Sequence, residues 1–137
     1  MTAKLYGPGR VVAVDLADSR LESARAFGAD ETINNSSEDA VERVKEMTDG
    51  LGANVVMEAV GVPATFELCT ELVRPGGHVA NIGVHGSPVT LHLETLWIKK
   101  ITTGLVGTSS TPTLLKLVSE GRLDATPFAT HRLSWTR

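Results

Sequence analysis

At 137 residues the chain is long enough for one compact domain and too short for two ordinary ones, so a single core is expected. A formal net charge of −3 with no run of Lys or Arg leaves no basic footprint for nucleic acid, and apolar stretches that are strand-sized and broken by Gly, Asp or Lys exclude a membrane-spanning helix. Cys69 stands alone, which excludes an internal disulfide and a zinc site built from several cysteines.

Short β-branched runs alternate with longer segments of helical periodicity, the pattern of parallel strands joined by crossover helices, so the class is α/β. Val11 to Val14 is a buried strand ending at Asp15. Asp18 or Ser19 is placed to cap a helix whose Leu21, Ala24 and Phe27 share a face until Gly28 stops it. A short strand follows around Glu31 to Asn34. Ser36 or Ser37 then caps a helix with Ala40, Val41, Val44 and Met47 inward and Glu42, Arg43, Lys45 and Glu46 toward water, ended by Gly50 and Gly52. Asn54 to Glu58 is a third strand, Pro63 opens a helix bearing Phe66, Cys69 and Leu72 or Val73, and Pro75-Gly76-Gly77 turns the chain into a strand from His78 to Ile82. Val89 to Leu93 alternates apolar and polar residues in the manner of an edge strand in need of a partner. Thr102 to Val106 is a further strand, and Pro112 begins a helix with Leu114, Leu115, Leu117 and Val118 apolar before Gly121. Leu133 to Arg137 match no element.

An acidic residue at the carboxyl end of such a strand accepts hydrogen bonds from the ribose hydroxyls of a dinucleotide, and its charge repels the extra phosphate of NADP. Asp15 is so placed, and its alternative role is to begin a turn. Arg20, one turn into the following helix, either lies over the adenine and ribose or is a solvated helix arginine. The four histidines, His78, His85, His92 and His131, follow no ligand spacing and show no carboxylate or thiol nearby in sequence, so no metal site is expected. Cys69 falls on the buried stripe of its helix, where a thiol is a small apolar group without a reactive role.

Four blocks come in order: Val-Val-Ala-Val-Asp at 11–15, Arg-Ala-Phe-Gly-Ala-Asp at 25–30, Gly-Ala-Asn-Val-Val-Met-Glu-Ala-Val-Gly at 52–61 and Arg-Pro-Gly-Gly-His-Val-Ala-Asn-Ile-Gly at 74–83. With them, the stretch from Val11 to Gly104 resembles the cofactor domain of medium-chain zinc-dependent alcohol dehydrogenases. The resemblance implies an incomplete Rossmann fold, a doubly wound parallel sheet lacking its first strand and the glycine-rich turn that cradles pyrophosphate, with Thr2 to Tyr6 as the remnant of the helix after that turn. It implies Asp15 and Arg20 as adenosine-ribose contacts, Ala59, Val60 and Gly61 as the strand end beside the adenine, and Ile82, Gly83 and Val84 as the wall against the nicotinamide. Leu105 and Val106 resemble the backbone that holds the carboxamide. Each of the last three groups reads equally as strand ends that only pack. The implied cofactor is NAD, bound weakly or not at all without the phosphate cradle.

The family's zinc ligands would lie in a catalytic domain upstream, so zinc is expected in the parent family only. No catalytic residue or metal ligand is assigned, and the chain alone is expected to oxidise no alcohol. The likeness holds through about Arg132 and breaks at Leu133, so 1–132 is expected to be a partial NAD-binding domain, 133–137 a tail foreign to the family, and the whole a fragment. In the family a strand like Val89–Leu93 pairs with its twin across a two-fold axis, which implies a homo-oligomer through that edge. No signal-like segment follows Met1, so a cytoplasmic protein is expected, without nucleic-acid or membrane partners.

The function implied is that of the NAD-binding part of an oxidoreductase whose intact form moves a hydride from a zinc-bound alkoxide to the nicotinamide. Two other readings stay open. S-adenosylmethionine-dependent methyltransferases also place an acid after their second strand and often carry a turn like Leu72-Val73-Arg74-Pro75-Gly76-Gly77, and a chain unable to hold pyrophosphate can serve as a non-enzymatic association module. Phe27-Gly28-Ala29-Asp30 and Glu58-Ala59-Val60-Gly61 favour the dehydrogenase.

Overall fold

Each strand of the larger unit, Gly9–Val106, runs parallel to its neighbours, as expected of strands linked by helical crossovers. The computed structural model describes residues 1–129, 131, 133 and 134. In chain order the larger unit contains β1 (Val12–Asp15), α1 (Asp18–Ala26), β2 (Glu31–Asn34), α2 (Ala40–Glu46), β3 (Ala53–Glu58), α3 (Pro63–Leu72), β4 (Val73–Asn81), α4 (Leu93–Leu96) and β5 (Lys100–Thr103). The second unit joins Met1–Pro8, with a 3-10 helix at Thr2–Tyr6, to the segment after Val106, with α5 (Thr111–Ser119) and a 3-10 helix at Thr126–Phe128. The expected boundary at Arg132 lies outside the described residues.

Local sequence explains most of the element ends, though two caps differ from expectation. Ala17, not Asp18 or Ser19, is the N-cap of α1 and has no side chain to offer; Asp15 accepts the turn's N–H groups instead. Asp18 begins the helix, where its charge suits the positive end of the helix dipole, and its carboxylate accepts Asn34 Nδ2 at 2.7 Å. The cap of α2 is Asp39, which accepts the N–H of Val41 at 2.8 Å and of Glu42 at 3.0 Å. Ser36 and Ser37 are spent on a turn around Asn34, whose side-chain oxygen takes both the N–H and the hydroxyl of Ser36. Asp39→Ala should therefore lower the urea midpoint, a capping loss of about 1 kcal/mol, and an unchanged midpoint would show that α2 is held by packing alone.

Two core clusters lie under the strands. Ile33, Ala40, Val44 and Leu72 form the first, against which Val12, Val14, Ala53 and Val56 pack; Phe66, Cys69, Val73 and Val79 form the second, with Val56 shared and Val89 alongside. Thus α2 and α3 cover the strands from one side, whereas α1 packs on β1 and β2 and adds nothing to either cluster.

The strands nevertheless form two sheets, β2-β1 and β3-β4-β5. In the first ladder the carbonyls of Val11 and Asp15 accept from Glu31 and Asn35, so Val12 and Val14 turn their backbone groups to the opposite edge. In the second, Glu58 carbonyl accepts from Ile82, so Val55 and Met57 point away from β4. Among the described residues no strand stands between these edges, although Val12, Val14 and Val56 flank the same helical core. This is a doubly wound α/β sheet with one strand missing where the winding reverses.

Three other expectations shift. β4 begins at Val73 and runs through Pro75-Gly76-Gly77, with an irregular register between Ala53 and Val55 absorbing the glycines. β5 ends at Thr103, short of Leu105 and Val106. Among the described residues Val89–Leu93 joins no ladder: residues 89–92 lead irregularly to α4, because an edge strand is fixed by its partner, and Leu91 and Leu93 stay exposed.

Candidate functional site

Parallel strands deliver the residues after them to one edge of a sheet, and the candidate cofactor residues of the larger unit all follow strand ends. Asp15 closes β1. Its Oδ1 accepts Leu16 N–H at 2.7 Å, Ala17 N–H at 3.0 Å and Arg20 Nη1 at 3.3 Å. All these bonds fall on one oxygen, which leaves Oδ2 available to an outside donor. Partial desolvation opposes ionisation, yet the Ala17 and Leu16 amides and the Arg20 guanidinium outweigh it and hold the carboxyl below its ordinary value. Asp15 is therefore an anion at neutral pH, and it both begins the turn and keeps a free acceptor. Arg20 is paired to it from an otherwise exposed position.

Ala59, Val60 and Gly61 follow β3, and Ile82, Gly83 and Val84 follow β4; the structure brings these two groups together. Glu58 carbonyl accepts the N–H of Ile82 at 2.8 Å and of Gly83 at 3.1 Å. The contact is so close that a Cβ on Gly61, at φ +86°, would sit 2.4 Å from Val84 carbonyl oxygen. Val60, Ile82 and Val84 nonetheless leave their side chains exposed. Leu105 and Val106, beyond β5, are 98% and 69% exposed. Asp15 and Arg20 belong to the other sheet, across the missing strand.

Sequence reasoning treated Glu58 only as a strand end and missed its role. It is 1% exposed, and Oε1 accepts Val60 N–H at 2.8 Å, Gly61 N–H at 2.8 Å and Thr65 Oγ1 at 2.7 Å. Oε2 has no hydrogen-bond partner and faces His85 Nε2 at 3.4 Å. Burial works against ionisation, but the Gly61 amide, the Thr65 hydroxyl, the Val60 amide and His85 together hold the carboxyl below its ordinary value. His85 Nε2 lies 2.9 Å from Asn81 Oδ1, and Asn81 Nδ2 donates to Thr103 Oγ1 at 3.0 Å, so Nε2 carries the ring proton. The available signal was a glutamate closing an apolar strand three residues before a glycine.

His92 Nδ1 contacts Glu94 Oε1 at 2.9 Å, which corrects the expectation that no carboxylate lies near the histidines in sequence, and His85 faces Glu58 from farther along the chain. His78 instead pairs with Thr102 Oγ1. Among the described residues no group of three His, Cys, Asp or Glu side chains can hold a metal ion, so the residues present do not fit zinc. Cys69 is buried in the second cluster; burial, with the Glu58 charge added, pushes its thiol up to about 11, consistent with a packing role. Two surface hollows, one at Thr48–Asn54 with Arg74 and Pro75 and one along α2, lie away from the carboxyl ends of the strands. No helix among the described residues is long and apolar enough to cross a membrane.

The sequence model of the family described as "Zinc-binding dehydrogenase" matches residues 1–120. An alcohol dehydrogenase of Cupriavidus necator is 35% identical over 136 residues, covering 95% of this chain and 37% of its own length. An L-threonine 3-dehydrogenase of Pyrococcus horikoshii is 34% identical over 135 residues, covering 95% and 39%. Among solved structures, the apo form of zinc-dependent alcohol dehydrogenase 2 from Streptococcus pneumonia superposes with a TM-score of 0.86 at 46% identity, over 90% of this chain and 36% of that one. The chain thus spans little more than a third of the length of the proteins it matches.

Proposed function

Because the chain belongs to the zinc-binding dehydrogenase family, we propose that residues 1–132 form the NAD-binding part of an alcohol dehydrogenase, with the tail from Leu133 outside it. The observation that carries this reading is Asp15: an ionised carboxylate at a strand end, with Oδ1 committed to the following turn and Oδ2 left for the ribose hydroxyls of an adenosine. A second negative group on that ribose would be repelled, which favours NAD over NADP. Arg20 steadies Asp15 from the rim. Ala59–Gly61 and Ile82–Val84 offer a continuous backbone edge to the adenine and nicotinamide ends, and the exposed backbone of Leu105 and Val106 is assigned to the carboxamide by resemblance. When bound, NAD supplies the acceptor for a hydride; the chain's own residues orient it. Zinc belongs to the parent family.

The dehydrogenase relatives give the methyltransferase and association-module readings no support. The alcohol is not specified: one relative is named for alcohols in general and another for L-threonine. We place the protein in the cytoplasm and assign Val89–Leu93 to pairing with a second copy, supported by its alternating sequence and the exposure of Leu91 and Leu93.

Titrating residues 1–137 with NADH and NADPH tests the reading. NADH should bind more weakly than micromolar, because the charge-assisted phosphate contacts are missing, yet about tenfold or more tighter than NADPH. Asp15→Ala should abolish that preference. Preference for NADPH, or saturation by neither cofactor at millimolar concentration, would sink it.

A further inference from the structure

We propose that Glu58 and His85 are positioning residues, a buried clamp that locks the loop after β3 onto the loop after β4 so that Ala59–Gly61 and Ile82–Val84 meet a dinucleotide as one preshaped edge. The inference rests on the reading of those loops as cofactor loops. Glu58 reaches both: its side chain holds the amides of Val60 and Gly61, and its main-chain carbonyl holds those of Ile82 and Gly83. Packing does not fix these loops, since Val60, Ile82 and Val84 leave their side chains in water. Their shape depends on what grips the backbone.

A buried carboxylate needs each oxygen satisfied. Oε1 has three donors, whereas Oε2 makes no hydrogen bond and has His85 Nε2, whose proton is directed at Asn81, at 3.4 Å. That ring is held from two directions, by Asn81 through Nε2 and by the edge-to-face ring of Phe66, with centroids 6.0 Å apart. Asn81 passes the connection to Thr103 at the end of β5, so a side-chain relay is added to the backbone ladders at the ends of β3, β4 and β5. Gly83 is what lets the second loop lie over the carboxylate: a Cβ there would fall 2.3 Å from Oε2. The titratable groups facing this centre are Glu58, His85 and, more distantly, Cys69.

Amide exchange measured by NMR on the wild type, His85→Ala and His85→Gln tests the clamp without a ligand. In His85→Ala, protection at Val60, Gly61, Ile82 and Gly83 should fall about tenfold or more while that of β2 is kept, because opening is local. His85→Gln, whose amide can donate in place of Nε2, should restore most of it. Unchanged protection, or an equal loss across β1 and β2, overturns the clamp. NADH added to the same samples judges the other half: wild-type shifts at these amides with about tenfold weaker binding in His85→Ala support positioning, and equal binding despite lost protection overturns it. If NADH moves none of these amides in the wild type, the cofactor reading fails while exchange still decides the clamp.

Discussion

Residues 1–137, purified alone, should sediment as a concentration-dependent mixture at micromolar levels and melt over a broad temperature range. The cause is the slot between β1 and β3. Val12, Val14, Val55 and Met57 direct backbone donors and acceptors into it, and no described residue answers them. Burying such groups unpaired would cost about 1 to 3 kcal/mol each, which the fold could not bear. Among the described residues no ladder crosses the slot, and Val55 at 55% and Met57 at 60% exposed show the sheet face beside it uncovered, so that water reaches it. Water then satisfies the backbone, but each side chain forfeits about 1 to 2 kcal/mol of burial. Open apolar edges of this kind recruit other chains. Val55→Lys should therefore shift the sedimentation profile toward monomer without lowering the melting midpoint. A clean monomer of the unaltered chain with a sharp cooperative transition would show that the slot is closed in solution.

Gly61→Ala is expected to be the most damaging single substitution at the site. The residue sits at φ +86°, and the new methyl group would press to 2.4 Å from the carbonyl oxygen and 2.8 Å from the carbonyl carbon of Val84. Left-handed strain and backbone collision together should cost about 2 to 4 kcal/mol. Gly50 provides the control, with φ +81° and nothing within 4 Å of its would-be Cβ. Gly50→Ala should carry the conformational cost alone, about 1 kcal/mol. Because a two-state transition is not expected, the comparison is read from urea midpoints. Equal shifts in the two variants would mean that the two loops separate easily.

The strands were legible where one residue's chemistry decided the outcome. Val11 to Asp15 was readable because a β-branched run ends in an acid, and β1 falls there. The cap of α2 was not, since Ser36, Ser37 and Asp39 are all competent; a turn around Asn34 that engages both serines settles the choice. The break between β1 and β3 was foreseeable from strand order, but its openness to water was not, because exposure depends on what covers the slot. The clamp joins Glu58 to His85, and no local pattern signals a pairing across 27 positions.

The divided sheet also determines how far the chain must search to fold. Every ladder joins strands consecutive in sequence, β1 to β2, β3 to β4 and β4 to β5, each across a single connection. Each pairing nevertheless closes a crossover of about 20 residues, as from Val12 to Glu31 or His78 to Lys100, so every ladder has to meet a similar loop-closure cost. The meeting of α2 with α3, over a similar separation, brings both ladders over the cluster of Ile33, Ala40, Val44 and Leu72. In a sheet with its central strand, hydrogen bonds would fasten that closure; among the described residues side-chain packing carries it, so the joint between the ladders opens more readily than either ladder.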